Sequence, residues 1–142
     1  MAASTVNRSA LTSKSRPMNQ GNVANIPTWI HTWATTSLDD VGDTVNYGYI
    51  PANAKLLGFF VGADDVDSAT SLVWKIQAAG VDVHTGLTIG QAASNLTNSL
   101  TQFVGIKPLD VTADTLISAV ITTAAGTPVS GQIWITPVYT QL

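Results

Sequence analysis

The sequence contains neither cysteine nor glutamate, and only 11% of its 142 residues are charged. Without cysteine, disulfides and thiolate metal sites are excluded, and the redox compartment stays open. Without glutamate, a catalytic carboxylate pair would have to be built from aspartate alone. No run approaches the ~18 apolar residues of a membrane span, and the opening Met-Ala-Ala-Ser-Thr-Val-Asn-Arg has no apolar stretch of the kind that secretion uses. These features predict a protein made in a cytoplasm, with no membrane partner. Catalytic signatures are missing as well: there is no Gly-x-Ser-x-Gly elbow, no phosphate or dinucleotide glycine motif, and no His-Glu-x-x-His box. His31 and His84 stand far apart in the chain, each without a neighbouring ligand type, and read as ordinary histidines. The expectation is a protein that is not an enzyme and holds no cofactor.

What is present is a large apolar share, 45% of residues. A chain of this length forms one domain with a real core. The charged share is well below the ~25% of an ordinary soluble domain, so much of the surface is expected to face a partner rather than water. The few charges are unevenly placed. Arg8, Lys14 and Arg16 fall in residues 1–26 with no acidic residue beside them, whereas the remainder carries Lys55, Lys75 and Lys107 against all nine Asp. Three cations with no aromatic between them make a thin footprint for nucleic acid, and an acidic protein surface is the expected target.

Residues 1–26 show neither a two-residue nor a 3.6-residue apolar period, which predicts an extended N-terminal arm. Its candidate contact residues are Val6, Arg8, Leu11, Lys14, Arg16, Val23 and Ile26. Residues 27–142 form the body, where the period becomes two. Trp29 to Trp33, Val45 to Tyr49, Lys55 to Val61, Thr70 to Gln77, Val81 to Leu87, Gln102 to Ile106, Leu116 to Thr123 and Gln132 to Tyr139 read as strands separated by turns. In the third of these, Leu57, Phe59 and Val61 alternate with Leu56 and Phe60, so both faces are apolar. Such a strand is central in a sandwich or covered by a partner. Ile89, Ala92, Ala93, Leu96 and Leu100 have helical spacing, which predicts one short helix with Thr88 as its N-cap. The fold class is therefore all-β: an antiparallel β-sandwich or jelly roll of about eight strands, with one short helix and the arm.

Asp64, Asp65 and Asp67 form the densest acidic cluster, and oxygen ligands at this spacing suit calcium. The run continues Ser-Ala-Thr-Ser-Leu without the further ligands of a calcium loop, so a turn closed by aspartate–backbone bonds is the expected role. Trp29, Trp33, Trp74 and Trp134 include candidates for a sugar-stacking platform, but strand aromatics more often fill cores.

Two stretches carry a resemblance. Tyr49 to Ile76 runs Tyr-Ile-Pro-Ala-Asn-Ala-Lys-Leu-Leu-Gly-Phe-Phe-Val-Gly-Ala-Asp-Asp-Val-Asp-Ser-Ala-Thr-Ser-Leu-Val-Trp-Lys-Ile, and the C-terminal region has Gly-Gln-Ile-Trp-Ile-Thr-Pro-Val-Tyr-Thr. The first resembles a segment of small virion proteins of tailed phages: a Pro-Ala-Asn-Ala turn, an apolar strand, an acidic turn and a strand of alternating apolar residues. Each turn is expected to close an antiparallel strand pair. The resemblance implies a head decoration, or cement, protein on the capsid exterior, partnered by the major capsid protein and assembled as a homo-dimer or homo-trimer. A receptor- or glycan-binding module of a tail or fibre is the alternative.

Overall fold

The computed structural model describes residues 28–91 and 101–141. The arm residues Val6, Arg8, Leu11, Lys14, Arg16, Val23 and Ile26 lie outside this range. Eight strands and one helical turn follow in order: β1 Trp29–Trp33, α1 Thr35–Leu38, β2 Thr44–Ile50, β3 Ala54–Ala63, β4 Val73–Ala78, β5 Val81–Leu87, β6 Thr101–Val111, β7 Thr115–Thr123 and β8 Gly131–Gln141. They form two four-stranded sheets, β1-β8-β3-β6 and β2-β7-β4-β5, with every pair antiparallel. Consecutive strands alternate between the sheets, except β4 and β5. This is the double-sheet jelly roll.

That alternation corrects the reading of the turns. The Pro51-Ala52-Asn53 turn and the acidic turn do not close strand pairs; each carries the chain from one sheet to the other. The reason is in their bonds. Ala52 N–H donates to Asp114 Oδ1 at 3.0 Å and Asn53 N–H to the Val111 carbonyl at 2.8 Å, so the first turn is fastened to the β6–β7 connection. The hairpin turn between β4 and β5 has Ala79 and Gly80 at φ 51° and 81°. Positive φ at both central residues is what a two-residue hairpin of matching twist requires.

The facing sheets bury Trp33, Leu38, Leu56, Phe59, Trp74, Ile76, Ile117, Ile121, Ile133 and Ile135. The expected alternation in β3 fails at one point, where Leu56 and Phe59 both enter the core while Phe60 faces out. A register shift between Leu56 and Gly58 inserts one extra residue against β8, and a bulge of this kind flips every later side chain to the opposite face. A helix starting at Thr88 is not formed over its described part, where Gln91 N–H closes a turn on the Thr88 carbonyl at 3.1 Å. Residues 92–100 lie outside the described range. The helical turn that does form, α1, was expected to be plain connection; it is held because Leu38 is buried and its carbonyl accepts Ala125 N–H at 2.9 Å.

Within the core, Trp33 Nε1–H donates to the Tyr47 hydroxyl at 2.8 Å, which donates onward to the Ile133 carbonyl at 3.0 Å. One hydroxyl thus joins both sheets. Tyr47→Phe strands a buried indole N–H and a carbonyl, and the expected loss is about 1–3 kcal/mol, measured by denaturant titration. Burial pushes the Tyr47 phenol far up, against a smaller opposing pull from Trp33. The folded state therefore keeps a proton that the unfolded chain sheds near pH 10, so stability falls as pH rises above about 10. In Tyr47→Phe this contribution to the alkaline slope disappears.

Candidate interaction surface

The acidic turn is built around Asp67, whose side chain is buried. One carboxylate oxygen accepts the N–H groups of Ala69 at 3.0 Å and Thr127 at 2.9 Å; the other accepts Ser71 at 3.0 Å and Leu72 at 2.9 Å. Burial raises the Asp67 pKa, and these four donors outweigh that effect, holding it below the ordinary carboxylate value. Asp64 accepts Gln132 N–H at 2.8 Å, while Asp65 is exposed. The cluster is thus a backbone fastener, with Asp67 committed to four donors that a cation would have to displace. A chelator is expected to leave the melting temperature unchanged, a result checked by calorimetry with and without EDTA.

The two outer sheet faces differ in chemistry. On the second sheet, Lys75 and Asp82 pair at 3.0 Å, Gln77 donates to Asp82 at 2.9 Å, and Ser118 Oγ donates to Asn46 Oδ1 at 2.8 Å. Polar side chains there satisfy one another. The first sheet instead carries a low apolar stripe. In register, Ile30 lies opposite Trp134, Trp134 opposite Gly62, Thr136 opposite Phe60, and Phe60 opposite Phe103. Ile30, Phe60 and Phe103 are 59%, 43% and 46% exposed. The Phe60 and Phe103 rings meet edge to face with centroids 5.2 Å apart.

Glycine makes this face flat. A Cβ at Gly62 would collide with the Trp134 indole, and one at Gly58 would lie 2.5 Å from the Val104 carbonyl oxygen and 2.7 Å from the Phe103 ring. The aromatic rings lie over positions that have no side chain. Charge on these four strands is confined to Lys55, Lys107 and Asp110, with Lys55 and Asp110 paired at 3.0 Å at the end away from Trp134. The arrangement suits a broad, largely apolar contact.

A second concavity of about 540 Å³ opens between edge strands β5 and β6, bordered by Val81, Val83, Ile106, Pro108 and Leu109. No convergent catalytic group lines it. Of the histidines, His31 is exposed and meets the Tyr47 ring edge-on at 6.2 Å, and His84 lies on β5. Among the described residues no three His, Cys, Asp or Glu side chains gather in a way that could hold a metal. Trp33 and Trp74 are core residues with ring centroids 6.3 Å apart, so they cannot form a sugar platform. Sequence reasoning placed the contact residues in the arm and did not identify Ile30, Phe60, Phe103 and Trp134. The available signal was the two apolar faces of β3.

No protein-family model and no curated protein matches the chain. Among solved structures, a chain of the cyanophage Pam1 capsid asymmetric unit is similar to it with a TM-score of 0.68 and 20% identity, over 96% of this chain and 99% of that one. The likeness is one of fold, and it runs the length of both chains.

Proposed function

We propose that this chain is a non-catalytic structural protein of a tailed-phage head, seated outside the shell across major capsid subunits, with the outer face of the first sheet as its contact. The observation that carries this reading is the end-to-end likeness to a chain of a phage capsid asymmetric unit. The charge-poor stripe from Ile30 to Phe103 supplies a physical means of attachment. A standard interface of ~1,600 Å², repeated over many sites, opposes outward pressure from packaged DNA even when each contact is modest. Glycan binding at a tail or fibre has less support, because two of the four tryptophans are in the core and Trp29 and Trp134 lie over Gly48 and Gly62.

A cryo-EM map of the particle tests the proposal. Density for the jelly roll on the head surface, bridging shell subunits, is expected. Density on the tail would overturn it.

A further inference from the structure

Unpaired ladder groups on an edge strand invite another strand, and edges are ordinarily blunted by charge, proline or bulges. The jelly roll has four edges: β1, β6, β2 and β5. β6 carries Lys107, Pro108 and Asp110; β5 carries Asp82 and pairs with two register shifts; β2 has a bulge between Asn46 and Gly48. β1, Trp-Ile-His-Thr-Trp, has none of these devices. It pairs with β8 in unbroken register from Trp29↔Ile135 to Trp33↔Gly131, and its other side meets no strand among the described residues.

We propose that β1 is the seam of a two-fold dimer, pairing antiparallel with β1 of a second copy, and that residues 1–27 of each copy pass onto the Asp39–Asp43 loop of the other. This goes beyond the capsid reading and does not depend on it. A two-fold axis normal to the sheet keeps inner and outer faces in place, so each residue must meet a partner on its own face. Only registers centred on a residue satisfy that condition. Centring on His31 pairs all five positions, with Trp29 opposite Trp33 and Ile30 opposite Thr32. The outer Ile–Thr pairs are β-branched and suit a ladder. The two apolar stripes would then lie on one continuous eight-stranded sheet.

Five paired residues fall short of the ~1,000 Å² that a stable interface needs, and the chain preceding β1 supplies the rest. Twenty-seven residues precede Thr28 outside the described range, a reach of roughly 90 Å if extended. In an antiparallel seam this segment leaves β1 alongside the partner's Ala34 and heads toward the partner's Asp39, Asp40 and Asp43. In its own copy that loop lies beyond the opposite end of β1, roughly 17 Å of strand away. The charges are complementary. Arg8, Lys14 and Arg16 have no acidic residue near them in sequence, and the three aspartates make no ion pair among the described residues, where the pairs are Lys55–Asp110 and Lys75–Asp82.

Because the chain has no native cysteine, single-cysteine variants give an unambiguous test on the full-length protein. Sedimentation should show a dimer. His31→Cys should be captured as a covalent dimer by a short bis-maleimide, whereas Thr44→Cys on the β2 edge should not. Thr32→Lys, an exposed change, should weaken dimerisation at least tenfold with the β circular-dichroism spectrum unchanged. Deleting residues 1–26 should weaken it too, and remove most of its salt dependence. A monomer, a trimer, a dimer that is not captured through position 31, or a dimer indifferent to Thr32→Lys would overturn the seam. Unchanged affinity and salt dependence after the deletion would overturn the role of the arm.

Discussion

Asp67→Ala should cost the fold about 3–5 kcal/mol, a large part of the 5–15 kcal/mol that holds a typical domain together. The substitution deletes one carboxylate but strands the N–H groups of Ala69, Ser71, Leu72 and Thr127. An unpaired buried donor costs about 1–3 kcal/mol, and water entering the vacated site recovers part of the sum. Asp67→Asn should fall between wild type and alanine, since the amide offers one acceptor oxygen and turns an N–H₂ group toward N–H donors. Asp65→Ala, on an exposed side chain of the same turn, should stay within about 0.5 kcal/mol. Acid provides a second readout. The Asp67 carboxyl is held below its ordinary value, so its contribution is complete above about pH 4 and is lost as pH falls below that. Denaturant midpoints measured from pH 2 to 7 should show this acid loss in wild type, with the Asp67 part missing in the alanine variant.

Replacing Phe60 and Phe103 together by aspartate is expected to weaken attachment to particles at least ~100-fold while leaving the jelly roll folded. Both rings lie on the outer face of the first sheet and are already part-exposed, so the free protein loses mainly their mutual contact, worth about 0.5–1.5 kcal/mol. In the bound state two carboxylates would face an apolar partner with nothing to pair with. Co-sedimentation with particles lacking the chain separates the two effects, with thermal unfolding as the folding control. Lys75→Ala on the opposite sheet should bind as wild type does. Equal weakening by both variants would remove the assignment of the contact to the first sheet.

The strands were legible because their cause is local: alternation in Trp29 to Trp33 or Trp74 to Ala78 follows from a sheet with one wet and one buried face. Which strands pair was not legible, because it depends on distant bonds. Nothing near Asp67 in sequence announces that Thr127 will be its partner, and nothing near Pro51 announces Asp114. The outer stripe was half visible. Phe60 stood out as an apolar residue opposite Phe59, but the bulge at Leu57 and Gly58 decided which of the two would face out. The Trp134 indole reads as core in a sequence, and only the glycine opposite it shows why the ring lies on the surface.

The position of β8 has a kinetic consequence. This strand is last in order yet inserts between β1 and β3, with Trp29 opposite Ile135 and Gly62 opposite Trp134. The first sheet therefore cannot close while its C-terminal strand is still inside the ribosome, and β1 waits with both edges open. Among consecutive strands, the β4–β5 hairpin is the one pair that forms through nearby contacts, so the remaining ladder demands loop closures over most of the chain. Folding should be slow, in the millisecond-to-second range of non-local β proteins, and largely post-translational.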